Sequence, residues 1–205
     1  MGKKIILTSI CLLVSVIASD VSMAGGFYLN GNAGLVWLQD TDLTENNVSR
    51  EATFDSGFGF GGGGGYDFDF MRVEAEIGYR KNDVNKVSTV PHGNVDGSGD
   101  ISAFSFMVNG FYDFKNSTFL TPYIGAGIGA AYIDLGAVSA ETIRISGGDD
   151  TVFAYQAEIG FNNAINQTMS FDIGYRYFAT TDPSLGGSDS EYKSHNVIIR
   201  FRYVF

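Results

Sequence analysis

From residue 26 onward, apolar and polar side chains alternate with a period of two in segments of ten to fourteen residues separated by turn-rich stretches. The plainest case sets Met71, Val73, Ala75, Ile77 and Tyr79 against Arg72, Glu74, Glu76, Gly78 and Arg80. A strand sends successive side chains to opposite faces, whereas 3.6 residues per turn would mix the two sets. Eight such strands are predicted, at about 26–38, 53–67, 70–81, 101–113, 119–133, 151–162, 168–178 and 195–205. Short connections follow the second, fourth and sixth. Long ones, at 39–52, 82–100, 134–150 and 179–194, follow the others.

Short turns on one side and long loops on the other are the plan of an all-β, eight-stranded antiparallel up-and-down transmembrane barrel. A soluble barrel or sandwich would share the period but bury the apolar face. Here the polar face carries many glycines, and the apolar face carries rows of aromatics too wide to pack inside one small barrel. Aromatics also gather near strand ends, where interfacial girdles sit: Phe27, Trp37, Tyr66, Phe68, Tyr79, Tyr112, Tyr132, Phe161, Tyr177, Tyr203 and Phe205.

The first 24 residues read differently. Lys3 and Lys4 precede an apolar run from Ile5 to Ala18, and Ser22-Met23-Ala24 offers small residues before Gly25. This predicts a secretory signal peptide, 1–24, cleaved between Ala24 and Gly25 and followed by one barrel domain, 25–205. The only cysteine, Cys11, lies in that leader, so the mature chain would have no disulfide, thiolate metal site or cysteine nucleophile. Without the leader the chain keeps 11 basic and 22 acidic residues, a net charge of −11 unsuited to nucleic acid.

The chain resembles the small outer-membrane barrels of the opacity-protein and bacterial surface-antigen families, related in plan to the OmpA membrane domain. The matching stretches are GFYLNGNAG, RVEAEIGYR, PYIGAGIGAAY, IGYRYF and HNVIIRFRYVF, spread over most strands. The resemblance implies residence in the bacterial outer membrane and contact with its lipid. It also implies an assembly signal at Val197, Ile199, Phe201, Tyr203 and Phe205, read by the barrel-assembly machinery.

The inward ionisable set is Asp55, Arg72, Glu74, Glu76, Arg80, Asp113, Glu158, Asp172, Arg176, Arg200 and Arg202. Eight strands leave an interior that side chains can fill, and buried charges demand partners, so a salt-bridged plug is expected. Glu74 and Glu76 are expected to meet arginines from across the lumen, with Arg72, Arg200 and Arg202 the nearest candidates. Inward glycines at 57–65 and at Gly125, Gly127 and Gly129 are expected to leave room for long side chains from other strands.

Other motifs weigh less. The glycines from Gly57 to Gly62 match a dinucleotide fingerprint in form, but no helix start follows. His92 lies in a loop, and His195 is the sequence neighbour of Ser194, which a strand would point to the opposite face. Asp149 and Asp150 are too few to define a cation site. Asn47, Asn116 and Asn166 begin Asn-x-Ser/Thr triplets. No enzyme, cofactor or metal is therefore expected.

Two functions stay open: a structural, surface-interaction (antigen or adhesin-like) protein meeting host or cell-surface molecules through its loops, and a narrow porin-like channel. A lipid-modifying enzyme is a distant third. Charge favours the loops as the contact surface, since 39–52, 81–100, 134–150 and 179–193 together carry −9.

Overall fold

A computed structural model describes residues 26–39, 41–45, 48–54, 56–89, 93–118, 120–136, 138–140, 143–145, 147–181, 183–185, 188–189 and 192–205. The leader with its Ala24–Gly25 junction, Asp55, Asn47 and His92 lie outside these residues. Eight strands form the wall: β1 (Gly26–Leu38), β2 (Gly57–Asp67), β3 (Met71–Thr89), β4 (Gly93–Asp113), β5 (Thr121–Leu135), β6 (Gly148–Ala164), β7 (Met169–Thr180) and β8 (Lys193–Val204). Each pairs antiparallel with the next. The ring closes where β1 meets β8, from Tyr28↔Val204 to Leu38↔Ser194. Closure pairs every edge, as hydrocarbon requires.

The two faces follow residue parity. Ile128, Ile159, Phe171, Ile173 and Ile199 point outward, while Arg72, Glu76, Arg176 and Arg200 of the same or neighbouring strands are buried inside. Aromatics meet edge-on or tilted at the short-turn rim, as in Phe27–Tyr66, Tyr66–Phe68, Tyr112–Phe114 and Tyr203–Phe205.

The short turns are built by side chains that mimic backbone. Asp69 takes a left-handed conformation, φ 79°, and its N–H donates to Asp67 Oδ1 at 2.8 Å. Asn166 Oδ1 accepts from the N–H groups of Thr168 and Met169 at 2.9 and 2.8 Å, and Asn116 Oδ1 from that of Thr118 at 2.8 Å. Both Asn-x-Thr triplets are thus Asx turns.

The long connections depart from expectation. The β3–β4 ladder does not stop at residue 81 but continues, with a bulge between Val84 and Lys86, to Thr89↔Gly93. The predicted second strand is interrupted. Its first residues belong to Val48–Phe54, which pairs with Thr41–Glu45 and with the outer part of β3, and the wall strand begins at Gly57. Polar stretches pair their backbone groups as well as amphipathic ones do, and backbone pairing by itself leaves no period in the sequence.

The lumen network as candidate functional site

Ten of the eleven predicted inward ionisable residues lie inside the barrel, each below a tenth exposed; Asp55 is the member outside the described residues. They stand in two layers. Toward the short-turn rim, Arg72 of β3 grips Asp113 of β4 with Nε and Nη2, at 2.7 and 2.8 Å. Asp172 of β7 sits among three arginines: Arg200 and Arg202, each at 3.3 Å, and Arg72 at 3.8 Å. It also accepts from Asn162, and Arg202 extends to Asp67 at 3.4 Å.

At mid-height Arg176 crosses the lumen and lays its fork on Glu76, both contacts at 2.8 Å, while its Nε donates to Glu158 at 2.9 Å. Arg200 reaches Glu158 at 3.0 Å and Glu76 at 3.9 Å, and the Tyr123 hydroxyl donates to Glu158 at 2.7 Å. Bidentate, charge-assisted bonds of this kind fix geometry as well as charge.

The expectation for Glu74 is corrected. Its Oε2 accepts from the Tyr28 hydroxyl at 3.0 Å and the Asn30 amide at 2.8 Å, and among the described residues no arginine lies within ion-pair reach. Arg72 and Arg202 turn to the aspartates instead. The barrel's stagger sets which inward residues share a height, and parity alone cannot supply it.

The outer half of the lumen is of another kind. Ile101, Ala103, Met107, Ala131, Ile133, Ala154, Phe178 and Tyr192 form one buried apolar cluster. Arg80 lies at its boundary, donating to Ser105 Oγ at 3.0 Å with its guanidinium 4.0 Å from the centre of the Phe178 ring. The sequence reading missed this layer, and Tyr28, Phe111 and Tyr123 below it, because it followed charge on the inward face. Parity marks them: Tyr28 matches Asn30, and Phe111 matches Asn109 and Asp113.

Large inward rings and glycines are complementary. A Cβ at Gly125 would overlap the Phe111 ring, and one at Gly65 would lie 2.7 Å from the Tyr28 hydroxyl. Missing side chains on β2 and β5 are the niches into which their neighbours lean.

The remaining motifs fall away from the lumen chemistry. Gly57 to Gly62 lie within β2, paired to β1 throughout and to β3 from Phe58 onward. Ser194 is fully buried in the lumen, whereas His195 faces out and contacts Tyr175 and Tyr177. Asp149 and Asp150 are consecutive in β6, so they point to opposite faces, and among the described residues no His/Cys/Asp/Glu group is arranged to hold a metal.

Known proteins share this architecture. The family model described as "Outer membrane protein beta-barrel domain" matches residues 7–205. The outer membrane protein PagN of Salmonella typhimurium is 41% identical over 80 residues, 36% of this chain and 32% of PagN, so the match spans about a third of that relative. A candidate adhesin of Rickettsia conorii, RC1281, is 26% identical over 207 residues, 89% of this chain and 83% of the adhesin. Among solved structures, Neisserial surface protein A superposes with a TM-score of 0.58 at 18% identity. It covers 89% of this chain and 99% of its own, a likeness of fold.

Proposed function

Because the chain belongs to the outer membrane protein β-barrel family and resides in the bacterial outer membrane, we propose that it is a surface-interaction protein. Its barrel is a closed stand, and its long acidic loops are the working part. The observation that carries this reading is the length of the β3–β4 hairpin. Its strands have 19 and 21 residues, against the ~9–11 that a tilted membrane strand needs, so about half of the hairpin stands clear of the lipid as paired ribbon. A ribbon held by its own ladder presents side chains with less ordering cost than a free loop. The name of the Rickettsia relative supports the same direction.

The lumen is sealed in this reading. Crossed ion pairs fill the inner part and an apolar cluster fills the outer part, in a cylinder of eight strands that has no spare width. A net −9 on the four loops attracts cationic partner surfaces and repels anionic ones within a Debye length of ~8–10 Å. Lipopolysaccharide phosphates would be met through bridging divalent cations. The proposal includes removal of residues 1–24, delivery to the assembly machinery through Val197, Ile199, Phe201, Tyr203 and Phe205, and no catalytic role.

One observation favours the narrow channel as a second reading. Buried polar atoms without a partner, among them Asn30 Oδ1, Asn109 Nδ2, Gln156 Oε1 and Thr180 Oγ1, occur at several heights of the lumen, where a thread of water would satisfy them. Two measurements decide. Purified mature protein in planar bilayers should show no discrete openings, and stable unitary conductance would establish the channel instead. Replacing the four loops by short turns should leave a folded barrel that no longer binds cells or cationic surfaces. Undiminished binding after that exchange would place the contact on the barrel wall and defeat the proposal.

A further inference from the structure

Arg80 is the exception in the lumen. It is 4% exposed, yet among the described residues no carboxylate comes within 4.0 Å of it, whereas Arg72, Arg176, Arg200 and Arg202 each have at least one. It touches the Ser105 hydroxyl and the face of Phe178, neither of which carries a charge. A buried guanidinium with no carboxylate in contact is costly even with Glu76 and Glu158 acting from farther off, so an anionic acceptor on its open side would stabilise it.

Arg80 borders a cavity in the wall with room for about one water-sized species. Its other polar neighbours are Arg176, Asn32 and Asn196, and no acidic side chain lines it. The space exists because the wall there is made of Gly34, Gly59 and Gly78. A Cβ at Gly78 would stand 3.6 Å from Arg80 Nη1, 3.1 Å from Ser105 Oγ and 3.8 Å from Glu76 Oε1, so its absence leaves space beside the guanidinium.

The donors are not equally committed. Arg176 spends its fork on Glu76 and Glu158, and the Asn196 amide donates to Arg176 O and to Ser194. The Asn32 amide nitrogen is buried with no hydrogen-bond partner. A guanidinium with no described carboxylate in contact and an unspent donor thus line one small chamber.

We propose that this chamber is a binding site for a single small monovalent anion of the halide class, held between the Arg80 guanidinium and the Asn32 amide. A halide accepts from both and cancels the charge, whereas water would accept but leave the charge standing. Room for about one water-sized species favours a single-atom ion over sulfate or phosphate. The bound ion ties β1 to β3 at the level where the ionic layers give way to the apolar one. The site stands independently of the surface-interaction reading, since it concerns the wall and not the loops.

Bromide soaked into crystals of the mature protein should give one anomalous difference peak beside Arg80 Nη1 and Asn32 Nδ2. In detergent at matched ionic strength, exchange of gluconate for chloride should raise the unfolding midpoint by about 4 °C when the ion is tenfold above its dissociation constant, while sulfate should not. Arg80→Gln should lose both the peak and the rise. Asn32→Asp carries its own anion into the chamber, so it should be more stable than wild type in gluconate and indifferent to chloride, and it decides the matter if Arg80→Gln does not fold. A bromide-free chamber in wild type, or a chloride response that survives in Asn32→Asp, would overturn the proposal.

Discussion

Replacing Arg176 by Gln removes the shortest ionic tie between β7 and β3 across the lumen. The guanidinium makes two 2.8 Å contacts with Glu76 and one of 2.9 Å with Glu158, and these carboxylates are 1% and 3% exposed. Glutamine is shorter and uncharged, so Glu76 would keep only Arg200, 3.9 Å away, while Glu158 would retain Arg200 at 3.0 Å and the Tyr123 hydroxyl at 2.7 Å. The attraction gained in the native pair and the cost of desolvating it nearly cancel. Breaking it does not, because the stranded carboxylate stays buried, and the penalty is about 3–5 kcal/mol. With a urea dependence of about 2 kcal/mol per molar, the midpoint should fall by roughly 2 M. Glu74→Gln is the control. Its two bonds, from Tyr28 and Asn30, fall on one oxygen that the glutamine carbonyl reproduces, so the loss should stay below about 1 kcal/mol and the shift below about 0.5 M. Both are read by urea titration of the folded protein in detergent, following the fluorescence of Trp37, the only tryptophan and a member of the outward-facing belt. Equal shifts in the two variants would show that the lumen charges are solvated rather than paired, and would refute the layered network.

Two further outcomes test the packing and the turns. Gly65→Val should prevent folding, because its Cβ would lie 2.7 Å from the Tyr28 hydroxyl and closer still to the Val73 backbone carbonyl oxygen. Gly31→Ala, where nothing lies within 4 Å, should fold as wild type; heat-dependent mobility on gels reads both. Asn166→Ala forfeits its turn bonds from Thr168 and Met169 and should cost about 1 kcal/mol in the same urea titration, with no change in any loop-borne binding.

Sequence alone determined which way almost every wall residue faces. A strand alternates its Cβ atoms whatever it pairs with, so Phe171 and Ile173 lie outside and Asp172 and Arg176 inside without any knowledge of their neighbours. The same pattern gave the strand count and the division into short and long connections. It could not give partners. Glu76 meets Arg176, 100 positions away, and Glu74, two residues earlier on the same face, meets Tyr28 and Asn30 instead. Which residues share a level inside a barrel depends on the accumulated stagger of eight pairings, a property of the closed ring that no single strand carries. Two other features were decided at that level. The outer apolar layer arises where Ile101 and Met107 of β4, Ile133 of β5 and Phe178 of β7 converge. The run of the ladder past residue 81 to Thr89 is not legible in the sequence, because backbone hydrogen bonds, unlike hydrophobic burial, leave no mark on the choice of side chains.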